Sequence, residues 1–331
     1  MYINKNYGFW MTFNWSRKPF ILGAIYAAAV TLIDYFMDWD LIIPWQPVSI
    51  IGIAVAFYLG FKNNSSYDRT WEARKIWGSI VNSSRTFGSA IISFVRSRDG
   101  DKASTIHREI IYRHLAWLTA LRYQLRLSRK WEHTENRIKG LYSPTICEEY
   151  YDQMDQELMN FIPEKEFEAY KLKSNISTQI LLTQSKRLQE LKNKGYIEDF
   201  RHMELYRLIQ SFYEDQGKSE RIKNFPFPRQ YASVALWMTW VFAALIPFGM
   251  LQAFKDMGDS MLWLNILFSA LIIWVFFLME KIGDYSENPF EGTYNDVPIT
   301  SISRTIEIDL REMLGDTNIP EPVAAQNDFL M

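Results

Sequence analysis

Four long apolar segments, two near each end of the chain, dominate its hydrophobic pattern. They cover residues 19–36, 43–61, 232–254 and 261–279, and the only charged residue within them is Asp34. A helix needs about 20 mostly apolar residues to cross roughly 30 Å of bilayer hydrocarbon. A buried helix of a soluble protein usually keeps a polar face, and the third and fourth segments have none. The pattern therefore predicts four membrane-spanning helices.

The stretch between the second and third segments, residues 62–225, is charged and follows a helical period. Residues 107–127 place apolar side chains on one stripe at helical spacing. The stretch that begins at Gln179 does the same with Ile180, Leu181, Leu188 and Leu191. The predicted fold class is therefore all-α. The tail after Gly315 lacks periodicity and is expected to be extended.

Basic residues mark one side of the predicted membrane region, and cytoplasmic loops carry an excess of Lys and Arg. They flank the segments at Arg17, Lys18, Lys62, Arg69, Arg221, Arg229 and Lys281. The hairpins on the other side are acidic or nearly neutral, and the first carries Asp38 and Asp40. We therefore expect a multi-pass protein of the cell membrane with both termini cytoplasmic. Its predicted parts are the N-terminal segment with transmembrane helices 1–2 (1–61), a cytoplasmic helical domain (62–225), transmembrane helices 3–4 (226–280) and a cytoplasmic C-terminal segment (281–331).

Composition and motifs exclude several classes of protein. The formal net charge of -2 does not favour a nucleic-acid partner. The single cysteine, Cys147, excludes an internal disulfide framework. His107 and His114 lie seven residues apart, a poor spacing for a metal site without further ligands. The sequence contains no P-loop, HExxH or CxxC motif. We therefore predict no catalytic residue, no metal site, no cofactor and no enzymatic activity.

The second apolar segment carries a stripe of three large side chains. Ile53, Phe57 and Phe61 are four residues apart, so they share one face of a helix. Such a stripe ordinarily packs against lipid or a neighbouring helix, and by itself it does not identify a pore.

Two motifs resemble the bestrophin family of ion channels. Residues 57–85, FYLGFKNNSSYDRTWEARKIWGSIVNSSR, are similar to the family pattern GFRxNxxYDRWWEGRKxWGxIVNxSR. They depart from it at Thr70 and Ala73, where Trp and Gly are common. Residues 287–310, ENPFEGTYNDVPITSISRTIEIDL, are similar to the family's ENPFG…NDLPLD…RTIE segment. Together with the four apolar segments, the resemblance covers nearly the whole chain.

The resemblance implies a homopentamer with one pore along its axis, embedded in the lipid bilayer. It places a hydrophobic neck at Ile53, Phe57 and Phe61, and a cytoplasmic aperture at Ile180. The implied function is passive conduction of permeant ions. Animal relatives follow the second motif with a run of acidic residues, whereas this chain offers only Glu291 and Asp296, so no calcium clasp is expected.

The family resemblance leaves the sign of the permeant ion open. Aromatic rings carry a positive edge, which favours an anion when the edge points at the axis. Some microbial relatives carry Ile at the position of Phe57 and tend to pass cations, whereas anion-conducting animal members carry Phe. Phe57 therefore favours anions such as chloride. A monovalent cation (sodium) channel of the same fold and a non-conducting membrane scaffold remain the alternatives.

Overall fold

A computed structural model describes residues 1–37, 41–96, 100–133 and 153–331 of the protein. Within those ranges the regular structure consists of α-helices and one 3-10 turn at Asp259–Met261. The helices are α1 (Phe9–Met37), α2 (Trp45–Phe94), α3 (Gly100–Arg126), α4 (Met154–Met159), α5 (Glu164–Lys171), α6 (Ile176–Asn193), α7 (Asp199–Asn224), α8 (Arg229–Lys255), α9 (Leu264–Asp284) and α10 (Ile299–Leu314). Asp38, Asp40 and Cys147 lie outside the described residues.

Four of these helices, α1, α2, α8 and α9, are long and apolar enough to cross a membrane. This confirms the all-α fold with four spans that the hydropathy pattern predicts. The bounds differ from the apolar segments chiefly at α2, which continues to Phe94 instead of ending near Phe61. Polarity ends a membrane span, but it does not end a helix unless Pro or a capping residue interrupts the backbone bonds.

The chain divides into two compact units, and the first, which we call the span unit, comprises Asn4–Arg69 and Pro226–Glu287. In it α1 and α8 pack against α9. Gly23 allows the close approach of α1 to α9, because a Cβ at this position would lie 3.2 Å from Ile273. The buried face of α2 packs with α8 and α9 into one apolar cluster, which contains Val48, Val55, Leu59, Phe242, Ile246 and Ile273.

Two polar side chains inside the span unit, Asn265 and Asp34, find partners within the helix bundle. The Asn265 amide is fully buried and donates to the Thr31 hydroxyl (3.0 Å) and to the carbonyl of Pro247 (3.2 Å). Asp34, the one charged residue of the apolar segments, pairs with Lys255 at 2.7 Å. Polar groups at membrane depth are costly unless they face a bundle interior and find partners. These contacts therefore fix how α1, α8 and α9 pack.

The second unit, which we call the charged unit, comprises Met1–Ile3, Thr70–Phe225 and Asn288–Met331. Its core is a single cluster in which α3 packs against α6 and α10. The predicted stripe on α6 faces this core, and the Gln184 side chain on the same face donates to the carbonyl of Ile110 at 2.7 Å. Asn175 caps α6 by accepting a bond from the backbone N–H of Thr178. The helical period of the charged stretch therefore identified the buried face correctly.

Candidate functional site

The stripe of Ile53, Phe57 and Phe61 lies on the face of α2 that points away from the rest of the span unit. Their exposed fractions are 59%, 66% and 59%, whereas Val55 and Leu59, on the opposite face, are at most 1% exposed. The packed face holds α2 in place, so the three large side chains need no contact with their own protomer. A stripe of this size in a membrane-spanning helix is available for lipid, another subunit or a pore.

Beside the stripe, α2 and α8 approach each other closely. A Cβ on Gly52 would lie 2.7 Å from the ring of Phe242, and one on Gly249 would lie 3.1 Å from Val48. Cβ atoms essentially never approach a neighbour as closely as 2.7 Å, so a larger residue at position 52 would force the Phe242 ring or the helices themselves to shift. The glycines therefore keep α2 against α8 beside the stripe.

Below the stripe, ion pairs hold the continuation of α2 within the span unit. Lys62 is fully buried and its ammonium lies 2.8 Å from the Glu280 carboxylate. Arg69 donates to the backbone carbonyl of Glu287 at 2.9 Å, and Arg229 pairs with the Glu287 carboxylate at 2.9 Å. Burial raises the pKa of the Glu287 carboxyl, and the neighbouring Arg229 partly opposes that shift. The polar part of α2 directly below the stripe is therefore fixed to α9 and, through Glu287, to the start of α8.

Two charged residues that follow the stripe bind distant parts of the chain. Arg69 binds Glu287, and Glu72 binds Arg221 within the charged unit. In the part of the chain that the structure describes, Asp68 has no ion-pair partner, and its side chain is exposed. Asp68 lies seven residues after Phe61 and hence on the same face of α2. Asn64, between them, is also exposed, so the face turns from apolar to polar directly below the stripe.

Ile180 does not lie at a surface. Its side chain is fully buried in the core of the charged unit, on the face of α6 that packs against α3. A residue that lines an aperture must be reachable from the aqueous path, and Ile180 is not. The aperture predicted there is therefore at odds with its packing. The burial of Ile180 was predictable from the sequence, because Ile180 shares a helical period with Leu181, Leu188 and Leu191.

Unlike Ile180, two apolar side chains in the charged unit, Leu172 and Phe200, are almost fully exposed. Leu172 follows α5 and is 92% exposed, and Phe200 lies in the first turn of α7 and is 89% exposed. Phe200 is out of phase with the buried face of its helix, which carries His202, Leu205, Ile209 and Phe212. In the sequence, Phe200 lies between Asp199 and Arg201 and does not follow the helical period of the buried residues. This large apolar residue was not identified from the sequence as a candidate.

The carboxylates of the second motif bind donors from the chain itself. Asp296 is buried and accepts from Arg126 at 2.6 Å, from the backbone N–H of Gly292 at 2.5 Å and from the Thr293 hydroxyl at 3.0 Å. Glu291 lies 3.1 Å from the ring nitrogen of His133. No group of three His, Cys, Asp or Glu side chains within residues 1–37, 41–96, 100–133 and 153–331 is arranged to hold a metal ion.

Known proteins resemble the chain along nearly its whole length. It is 25% identical to a voltage-dependent anion channel-forming protein of Ralstonia nicotianae, over 93% of this chain and 90% of that protein. It is 24% identical to the voltage-dependent anion channel-forming protein YneE of Escherichia coli, over 91% of this chain and 87% of that protein.

The fold matches a solved structure as well. The crystal structure of a bacterial bestrophin homolog from Klebsiella pneumoniae superposes with a TM-score of 0.75 at 22% identity, over 91% of this chain and 98% of that one. The family described as Bacterial/Fungal Bestrophin protein matches residues 17–312, a range that contains the two motifs and the four apolar segments. The chain is therefore an integral membrane protein that belongs to the bacterial and fungal bestrophin family.

Proposed function

We propose that this chain is the protomer of a passive anion channel in which five copies surround one axis, with α2 nearest to it. The observation that carries the proposal is the exposed apolar stripe of Ile53, Phe57 and Phe61 on an otherwise packed helix. Five copies of such a stripe form a narrow hydrophobic ring, which conducts when wet and closes by dewetting. The relatives named as anion channel-forming proteins support the choice of anions.

The charges around α2 support a definite orientation. Lys62, Arg69 and Arg229 lie at the same end of the span unit, and basic residues favour the cytoplasmic side. We place the transmembrane parts at 1–61 and 226–280 and the cytoplasmic parts at 62–225 and 281–331. Both termini are then cytoplasmic.

The aromatic rings of the neck are the groups that favour anions. Lys62, the basic residue directly below the neck, is neutralised by Glu280 and contributes little net field. An ion in the neck therefore meets mainly the side chains of Phe57 and Phe61, whose ring edges are positive. Edges turned toward the axis partly offset the cost of removing water from chloride.

One observation favours the alternative of a sodium channel with the same fold. Asp68 is exposed on the face of α2 that carries Phe61, one turn beyond Asn64. Five such carboxylates around an axis would concentrate cations at the exit of the neck. The two functions differ in whether the rings at the neck or the charges below it set the sign of the ion.

Reversal potentials in planar bilayers under a sodium chloride gradient distinguish the two functions. Wild type is expected to reverse near the chloride equilibrium potential, and Phe57→Ile to shift toward the sodium potential. Contacts with the positive edge of an aromatic ring are worth about 0.5 kcal/mol or more, so five rings together exceed the roughly 1.4 kcal/mol that corresponds to a tenfold change in rate. We therefore expect the chloride-to-sodium permeability ratio to fall by about tenfold or more.

Phe36→Ile is the matched control, because Phe36 is an exposed Phe (72%) on α1, away from the proposed pore. Its reversal potential should equal that of wild type. If wild type reverses near the sodium potential and Asp68→Asn abolishes that preference, the cation alternative is correct.

We place the lower aperture at Phe200 instead of Ile180. Phe200 is 89% exposed and lies on the first turn of α7, whose backbone is fixed by helical hydrogen bonds. Leu172 is equally exposed but lies after the end of α5, and sites on helices are held more precisely than sites on loops.

Alanine substitutions test this assignment by single-channel recording. Phe200→Ala is expected to widen the aperture and raise conductance, and Leu172→Ala, the matched control, to leave it unchanged. Ile180→Ala should leave conductance unchanged but lower the free energy of unfolding by about 2–5 kcal/mol, the usual cost of a core cavity. A change of conductance in Ile180→Ala, with none in Phe200→Ala, would return the aperture to Ile180.

A further inference from the structure

The span unit contains an apolar groove that the proposed channel does not use. It has a volume of about 550 Å³ and lies between α1, α8 and α9. Small side chains create the open space, and larger side chains form its walls. The lining includes Leu22, Gly23, Tyr26, Ala243, Ala244 and Ile273. Volumes of about 300–1,000 Å³ are typical of sites for small ligands. The groove is therefore large enough for part of a lipid molecule.

The groove is built by specific contacts. The Tyr26 hydroxyl donates to the carbonyl of Ala244 at 2.8 Å, which ties α1 to α8 along the groove. Trp240 and Phe277 pack edge to face with ring centroids 4.8 Å apart and form a wall. The helices flanking the groove are held together by these contacts, so the space does not close by side-chain rearrangement alone.

Basic side chains gather at one end of the groove. Lys18 lines that end, Arg17 precedes it, and both side chains are exposed. Neither has a carboxylate within ion-pair distance among the described residues. Lys281 does not line the groove, and its ammonium donates to the backbone carbonyl of Trp15 at 2.7 Å and lies 4.1 Å from its ring centroid. Lys18 is close enough to act on Lys281 electrostatically. This end of the groove is therefore suited to an anion.

We propose that the groove binds one anionic phospholipid per protomer, with an acyl chain between α1, α8 and α9 and the phosphate against Lys18 and Arg17. Hydrocarbon surrounds this face in a membrane, and Leu22 and Ile25 on α1 are exposed to it (60% and 63%). Basic residues beside a spanning helix attract anionic headgroups of the same leaflet. The stripe proposed for assembly lies on α2, so the groove need not be covered by a second copy.

Native mass spectrometry of the purified protein in mild detergent tests the proposal, because one spectrum reports both the number of protomers and the number of bound lipids. The probes are dioleoyl phosphatidylglycerol, which is anionic, and dioleoyl phosphatidylcholine, which is zwitterionic, at equal concentrations. We expect up to one phosphatidylglycerol per protomer at concentrations that give little phosphatidylcholine binding.

Variants separate the headgroup contact from the groove. Arg17→Gln combined with Lys18→Gln should weaken phosphatidylglycerol binding by about fivefold for each cation removed, whereas Lys5→Gln, a basic residue that precedes α1, should not. Ala244→Phe should fill the groove and abolish binding of phosphatidylglycerol, and Leu22→Trp should do the same from an exposed position if Ala244→Phe does not fold. Val241→Phe is the matched control, because Val241 is exposed on α8 but does not line the groove.

Equal binding of the two lipids would overturn the proposal, as would phosphatidylglycerol binding that survives the groove-filling variants. Loss of protomers in Leu22→Trp or Ala244→Phe, without loss of lipid, would show that a second copy covers the groove. The readout does not depend on conduction, so its failure would leave the channel proposal standing.

Discussion

Alanine at Ile53, Phe57 and Phe61 together is expected to raise single-channel conductance severalfold or more. In the proposed pentamer each ring of large apolar side chains narrows the path and disfavours water, so an ion must lose part of its hydration to pass. Truncation widens and wets all three levels. Lowering the barrier by 1.4 kcal/mol raises the rate of passage tenfold. The triple variant therefore has the largest expected effect on conduction.

The exposure of the stripe makes this experiment interpretable. The three side chains are more than half exposed in the protomer, so their removal costs little internal packing. The matched control is a triple alanine variant of Ile21, Ile25 and Phe36, which are also exposed apolar residues but lie on α1. Conductance of the control should equal that of wild type in bilayers. An unchanged current in the Ile53, Phe57 and Phe61 variant would mean that the stripe packs against lipid or another subunit and does not line the ion path.

The spans and the helical class were predictable from sequence because both depend on local patterns. Uninterrupted apolar runs predicted α1, α2, α8 and α9, and the helical period of the charged stretch predicted the buried face of α6. Hydropathy could not predict that α2 extends over 50 residues in total. The change from apolar to charged residues near Lys62 leaves the backbone hydrogen bonds of the helix intact.

The partners of the charged residues were not predictable, because they lie far apart in the sequence. Lys62 and Glu280 are separated by 218 residues, as are Arg69 and Glu287. Helix packing brings α9 and the residues after it to the part of α2 directly below the stripe. Long-range ion pairs of this kind follow from tertiary structure and leave no periodic signal.

The prediction of an aperture at Ile180 rests on a short resemblance and conflicts with the burial of that side chain. The periodicity of the same segment places Ile180 with Leu181 and Leu188 on a buried stripe. A large apolar residue on an uncovered face of its helix is a more useful indication of a site than a short resemblance. Phe57 and Phe200 are both large aromatic residues on faces that their own protomer leaves uncovered.

The ion pair between Arg126 and Asp296 is the contact in the charged unit whose loss should cost the most stability. Both side chains are at most 1% exposed, and the guanidinium also donates to the carbonyl of Val297 at 3.2 Å. Arg126→Met would leave Asp296 as a buried carboxylate without its countercharge. Breaking a buried pair on one side typically costs about 3–5 kcal/mol, far more than removing an exposed pair. We therefore expect a large fall in the midpoint of thermal unfolding in detergent.

A double variant distinguishes two causes of the lost stability: an unpaired buried charge at Asp296, and the absence of the arginine itself. Asp296→Asn added to Arg126→Met should recover much of the lost stability, because a neutral amide is cheaper to bury than a carboxylate, and its NH₂ and oxygen can still bond to the loop backbone. Arg207→Met is the matched control, because Arg207 pairs with Glu204 at 2.7 Å on the surface, where both side chains are more than half exposed. If Arg126→Met and Arg207→Met unfold at the same temperature, the buried pair does not stabilise the second motif. If the double variant is no more stable than Arg126→Met, the loss reflects the missing arginine itself and not an unpaired Asp296.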